Sequence, residues 1–308
     1  MTIMRSIALL VVVTVVCIVA IPPATEADHL QDLQPKPPQM VMLHVRVTDA
    51  SGKAVTDVPQ SSFQVTENGV PQQIDLFMNK EIPLSYGLVI DNSGSLHDLI
   101  EKVVSASIRI VNSNLEADEA FLIRFISSDK IEIVQKPTSD KKLLVDGLND
   151  LYIEGGATAV IDAVYLSAQM LAEVKSDVTK PRRKVLVLVT DGDERNSYYR
   201  EKDLLKLLYA NESQIYIVGL TQDLDSKKRE KALRLLRLLA GETGGRLFLP
   251  ASPAELDRIA DEIINDIRTQ YVLGYIPAKS GQDFHRVQVT IADNPNQEKR
   301  IAVTRVGY

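Results

Sequence analysis

Asp91, Ser93 and Ser95 are the residues of this sequence whose types and spacing are best suited to chemistry. They follow a short apolar run, Leu88–Ile90, which indicates a strand buried on both faces. Gly94 lets the backbone bend between the two serines. The polar side chains would leave the sheet at its carboxyl edge, where open α/β sheets bind ligands. Oxygen ligands on a flexible turn suit a hard divalent cation such as Mg²⁺ and do not suit zinc or copper.

Two later stretches complement this one. The apolar run Val185–Val189 ends in Thr-Asp-Gly, which places Asp191 at the end of a second buried strand. The run Gly155–Thr158 opens a predicted helix, with a threonine hydroxyl in a loop at the sheet edge. Because parallel strands present their carboxyl ends at one edge, the three stretches converge. The sequence therefore predicts a metal site formed by Asp91, Ser93, Ser95, Thr158 and Asp191.

Each stretch also has a purely structural interpretation. Asp91 or Ser93 could cap the next helix, and Thr158 could cap the helix that follows it. Helix capping does not predict all three stretches in this order at the ends of strands, so the combination favours the metal site.

Four polar residues near these loops have less specific interpretations. Asp193, Glu194 and Asn196 could orient metal-bound water or shape a partner surface, but their pattern favours a solvated loop. His97 is more typical of a surface histidine at a helix start than of a catalytic group.

The Asp-x-Ser-x-Ser, Thr and Thr-Asp-Gly elements resemble the metal-ion-dependent adhesion site of von Willebrand factor type A domains, also found in integrins. The resemblance covers about residues 82–269. It implies a Rossmann-like fold and a partner protein whose Asp or Glu side chain completes the coordination of the cation. Flanking motifs at Val65–Gly69, Tyr271–Tyr275 and Val306–Tyr308 are similar to those of exported bacterial members of the group.

The order of elements predicts an α/β fold. From residue 82 to 269, strands alternate with helices, which is typical of a doubly wound, mostly parallel sheet, with Ile131–Val134 pairing antiparallel. Strand-like segments at 40–81 and 270–308 flank this domain. The C-terminal strands are expected to pair with one another and with the N-terminal segment in a small β-sandwich-like domain, since neither segment could bury a core alone.

The first residues read as a targeting segment. Residues 1–27 combine Arg5, an apolar stretch and small residues before Asp28, which predicts a secretory signal peptide. Residues 28–39 are predicted to form a linker. The single cysteine, Cys17, lies in this leader, so the mature chain would form no disulfide. We expect a periplasmic or secreted protein; an uncleaved leader would instead anchor it to a membrane.

Composition narrows the function classes. The net charge is −6 and no Lys/Arg-rich block is present, which argues against nucleic acid as a partner. The expected function is adhesion or assembly through Mg²⁺ (or Mn²⁺ or Ca²⁺), without enzymatic activity. A Mg²⁺-dependent hydrolase is one alternative, although the sequence has no Gly-x-Ser-x-Gly, His-Glu-x-x-His or P-loop motif. The other is a structural module that binds partners by strand addition to its β flanks.

Overall fold

The computed structural model describes residues 40–176, 179–277, 284–292 and 299–308. The predicted signal peptide with Cys17 and the predicted linker lie outside these ranges. Within them, no helix has the length and apolar character needed to cross a membrane.

The described ranges contain strands and α-helices in the order expected of an α/β domain with β flanks. The strands are β1 (Val41–Thr48), β2 (Phe63–Glu67), β3 (Val70–Gln72), β4 (Leu76–Met78), β5 (Leu84–Asp91), β6 (Glu119–Phe125), β7 (Ile131–Thr138), β8 (Arg183–Thr190), β9 (Gln214–Gly219), β10 (Arg246–Phe248), β11 (Tyr271–Tyr275), β12 (Val287–Ile291) and β13 (Ile301–Val303). The helices are α1 (Ile100–Asn112), α2 (Lys141–Asn149), α3 (Val160–Ala172), α4 (Glu201–Asn211), α5 (Ser226–Glu242) and α6 (Leu256–Arg268).

A six-stranded sheet with the order β10-β9-β8-β5-β6-β7 forms the centre of the fold. All its pairs are parallel except β6–β7, which is antiparallel. Leu88 and Ile90 of β5 face a core completed by α1, α2 and α6, and Val89 faces the core completed by α3, α4 and α5. The predicted doubly wound, mostly parallel α/β fold is confirmed.

The β flanks form two smaller sheets, β13-β1-β11-β4 and β12-β2-β3, which share one apolar core. Each described C-terminal strand pairs with a strand of the N-terminal segment: β11 and β13 with β1, and β12 with β2. They join the N-terminal segment as expected, whereas their expected pairing with one another is limited, in the described residues, to an isolated antiparallel bridge between Arg286 and Gly307. The reason is that β1 is buried on nearly its whole length and takes a partner on each edge.

Asp118 fixes the beginning of β5, the strand that ends on Asp91. Its carboxylate is 1% exposed and accepts the Leu84 N–H at 2.8 Å and the Leu115 N–H at 2.7 Å. Arg268, the last residue of α6, pairs with the same carboxylate at 2.5 Å. Burial raises the pKa of Asp118, but these hydrogen bonds outweigh burial and hold that pKa below its ordinary value.

We predict that Asp118→Asn lowers the free energy of unfolding by about 3 kcal/mol at neutral pH, because it removes the buried carboxylate that pairs with Arg268 and accepts two backbone N–H groups, and leaves Arg268 only its more distant ionic partner Glu81, at 3.4 Å. A lowered carboxyl pKa contributes stability above the unfolded-state pKa and loses it as the pH falls through the folded-state pKa. Urea unfolding should therefore show a smaller difference in the free energy of unfolding between wild type and variant at pH 3 than at pH 7.

Asp261→Asn is the matched control, because the Asp261–Arg109 pair is half exposed and such pairs contribute little. A gap between wild type and Asp118→Asn that is the same at both pH values would contradict this assignment.

Candidate metal centre

The side chain of Asp91, the last residue of β5, is held from two sides. It is fully buried, and its Oδ1 accepts the N–H of Ser93 at 2.9 Å. The hydroxyl of Thr190, the last residue of β8, donates to Oδ2 at 2.6 Å. Because β5 and β8 are parallel neighbours, this bond joins the carboxyl ends of two strands at the predicted edge.

Two serine hydroxyls lie beside each other after Asp91. Ser93 is buried and Ser95 is exposed, and their Oγ atoms are 3.0 Å apart. Ser93 precedes a short 3-10 helix, Gly94–Leu99, but its side chain makes no capping hydrogen bond. The capping alternative for Ser93 is therefore wrong; its hydroxyl interacts with the Asp91 carboxylate, and the Ser95 hydroxyl lies next to that of Ser93.

Asp191 brings a second buried carboxylate to the same edge. It is 3% exposed, and its Oδ1 accepts the Asp193 N–H at 2.9 Å. Burial and, to a smaller degree, the charge of Asp191 raise the pKa of Asp91 to about 7. The two carboxylates thus interact with each other, while neither forms an ion pair with a Lys, Arg or His of the described chain.

Thr158 lies in a loop that is bonded to both neighbouring loops. Its carbonyl accepts the Arg195 N–H at 2.9 Å, which joins it to the loop after Asp191. On the other side, the Glu154 N–H donates to the Asn92 carbonyl at 3.0 Å, and the Asn92 amide donates to the Tyr152 carbonyl at 2.5 Å. The chain preceding Thr158 is thereby fixed against the first loop.

The N-terminus of α3 is capped by the third loop and not by Thr158. Glu194 Oε2 accepts the Ile161 N–H at 2.9 Å, and Ser197 Oγ accepts the Asp162 N–H at 3.2 Å. The N-cap position belongs to Ala159, and no hydrogen bond joins the Thr158 hydroxyl to another described residue. The capping alternative for Thr158 is wrong.

The interpretation of the third loop as solvated is also wrong for two of its residues. Asp193 is 7% exposed and accepts from Arg195 Nε at 2.8 Å, with Lys228 Nζ at 3.8 Å. Glu194 caps α3, as described above, while Asn196 is exposed. His97 is a surface residue beside Asp98, as expected.

The donor set fits a hard divalent cation. Two buried carboxylates repel each other without a compensating cation, and hydroxyls lie next to them. No cluster of three or more His, Cys, Asp or Glu side chains in the described ranges is placed to hold a metal ion, so hydroxyls would have to complete this set. Thr190 is the residue whose role was not assigned from sequence, although it stands in the Thr-Asp-Gly motif.

Gly156 sets the path of the chain into Thr158. A methyl group there would lie 2.2 Å from Cγ2 of Ile126, a stiff β-branched side chain, whereas the neighbouring Gly155 has nothing within 4 Å. We predict that Gly156→Ala lowers the free energy of unfolding by about 1–3 kcal/mol through overpacking. Gly155→Ala, the matched control, should change it by less than about 0.5 kcal/mol. Equal urea midpoints for the two variants would contradict the close approach.

Residues 87–194 match the family model described as von Willebrand factor type A domain. No curated protein matches the chain. Similar solved structures include the conserved hypothetical protein BatB from Bacteroides thetaiotaomicron (16% identity, 59% of this chain, 98% of that chain, TM-score 0.45). A second is a von Willebrand factor type A protein from Catenulispora acidiphila (12% identity, 87% of this chain, 74% of that chain, TM-score 0.49). A third is the vWF domain of the type V pili tip protein Mfa5 from Porphyromonas gingivalis (13% identity, 61% of this chain, 95% of that chain, TM-score 0.49).

At such low identities and TM-scores, these three structures carry no argument about function. The family match agrees with the residues assembled at the sheet edge, since it spans Asp91, Thr158 and Asp191. Domains of this family commonly serve as protein-interaction modules. This chain is therefore a protein with a von Willebrand factor type A-related domain.

Proposed function

We propose that the domain binds Mg²⁺, or Mn²⁺ or Ca²⁺ in its place, and uses the cation to bind an acidic side chain of a partner protein. The ligands are Asp91, Ser93, Ser95, Thr158 and Asp191. The observation that supports this most directly is the pair of buried, mutually repelling carboxylates, neither of which forms a salt bridge with a Lys, Arg or His of the described residues. Burying two such charges is costly, and a bound cation would offset that cost.

The composition of the ligand set favours an acidic ligand. Asp91 and Asp191 supply two negative charges, and Ser93, Ser95 and Thr158 supply neutral hydroxyls. The charge of a divalent cation bound there would be incompletely neutralised by these ligands, and an open coordination position on the cation would attract an anionic oxygen. Of the first loop, Ser95 is exposed to solvent, so a partner can approach the set from that side.

The remaining contacts keep the ligands oriented. Thr190 and the Ser93 N–H fix Asp91, and the Asp193 N–H fixes Asp191. Preorganisation of this kind reduces the entropy lost on binding. A binding role is favoured over hydrolysis because the carboxylates that follow Asp191 are bonded to protein groups, Asp193 to Arg195 and Glu194 to the N-terminus of α3. Export through the predicted signal peptide is also part of this proposal.

We predict that Mg²⁺ stabilises the protein by about 2.7 kcal/mol at one hundred times its dissociation constant, because the folded state alone presents the converging loops. Thermal unfolding with Mg²⁺ and with EDTA measures this shift. Asp91→Asn should remain folded and lose the shift, since it removes one of the two ligand charges.

Asp98→Asn is the matched control, because this carboxylate is in the same loop region and its side chain is 97% exposed. A Mg²⁺ shift that survives in Asp91→Asn would contradict the site. The partner is then sought by pull-down from the exported fraction with and without EDTA; a partner retained equally in EDTA would favour the β-flank alternative.

A further inference from the structure

A groove lined by tyrosines lies between α3 and α4. Its volume is about 760 Å³. The Tyr165 and Tyr199 rings stack at 3.7 Å, and Tyr198 meets Tyr199 edge-on at 5.2 Å. Tyr198 is 82% exposed, which is unusual for a large aromatic residue in a folded domain.

The backbone that carries these rings is held by a buried carboxylate. Asp162, 5% exposed, accepts the Tyr198 N–H at 2.7 Å and the Tyr199 N–H at 2.9 Å, and Ser128 donates to it as well. An exposed aromatic on a fixed backbone loses little conformational entropy when it is buried by a ligand. Such residues frequently dominate the energy of protein interfaces.

The same segment of chain is bonded to the candidate metal centre. Arg195 donates its N–H to Thr158, and Ser197 donates to Glu194, which caps α3. Tyr198 is seven positions after Asp191, so their Cα atoms lie at most about 25 Å apart. One extended segment of a partner could therefore contact the centre and the groove together.

The charges around the groove favour an acidic segment. Arg200 and Lys206 line it and form no ion pair within the described residues, whereas Asp203 is the single carboxylate of the lining. Towards the metal centre, Asp193 is shared by Arg195 and Lys228, both about half exposed. Among the residues that line the groove, two cations stand against one carboxylate, although the whole chain carries a net charge of −6.

We propose that the Tyr198 groove is a second contact site for the same partner. It takes a large apolar or aromatic side chain flanked by acidic residues, in the segment whose carboxylate binds at the metal centre. This inference rests on the proposed function for the identity of the partner segment. The groove itself would need no cation.

Two fluorescein-labelled peptides test the groove by fluorescence anisotropy in Mg²⁺ and in EDTA. The first is a Gly/Ser chain with one Glu. The second adds a Phe flanked by two Asp, about seven residues after that Glu. We expect the second peptide to bind about tenfold more tightly in Mg²⁺, and Tyr198→Ser to abolish that advantage. Leu143→Ser, which removes another exposed apolar side chain on α2, should leave the advantage unchanged.

The outcomes separate the two proposals. If both peptides bind equally in Mg²⁺ and neither binds in EDTA, the groove proposal is overturned and the metal proposal stands. If the second peptide binds with the same affinity in EDTA as in Mg²⁺ and depends on Tyr198, the groove stands and the metal proposal fails. If binding of the second peptide does not depend on Tyr198 in Mg²⁺ or in EDTA, the groove proposal is overturned. A Tyr198-dependent dimer of the protein alone, detected by sedimentation, would also overturn it by assigning the groove to a second copy.

Discussion

Two carboxylates, Asp91 and Asp191, are held in the interior at the carboxyl ends of neighbouring parallel strands, and the organisation of this domain follows from that constraint. Their repulsion would destabilise the sheet edge if the loops around them were free to move. Hydrogen bonds from Thr190 and from backbone N–H groups fix both side chains, and Asp118 anchors the far end of β5. The two carboxylates are therefore kept close together at this edge by hydrogen bonds, an arrangement that is more typical of a binding site than of a structural core.

The loops that surround this edge support one another through buried acids. Glu194 caps α3 from the third loop, and Asp162 of α3 in turn holds the backbone of Tyr198 and Tyr199. The chain from Asp193 to Tyr199 has no regular secondary structure, yet its backbone groups are bonded to α3 and to the Thr158 loop. A long surface loop with this many contacts can present exposed side chains in a fixed arrangement, which is what recognition of a partner requires.

Much of the fold could be predicted because both faces of β5 and β8 are buried, and continuous apolar runs such as Leu88–Ile90 are a clear signal of such strands. The five candidate ligands could be named because their residue types and positions at strand ends are local features. Long-range contacts leave no such pattern, so the capping of α3 by Glu194 and the pairing of Asp193 with Arg195 and Lys228 were not predicted. The pairing of β12 and β13 with the N-terminal segment was expected, but their individual partners, β2 and β1, could not be named, since strand pairing depends on which faces the completed core covers.

The most direct test of the central claim is a crystal structure of the protein grown with Mn²⁺, with the metal located by its anomalous scattering. The account predicts one strong peak between the three loops, with oxygens of Ser93, Ser95 and Asp91 or Asp191 at about 2.2 Å or bridged by one water, and the Thr158 hydroxyl facing the ion. A structure at saturating Mn²⁺ with no peak there, in which both carboxylates are bonded to protein groups alone, would contradict it.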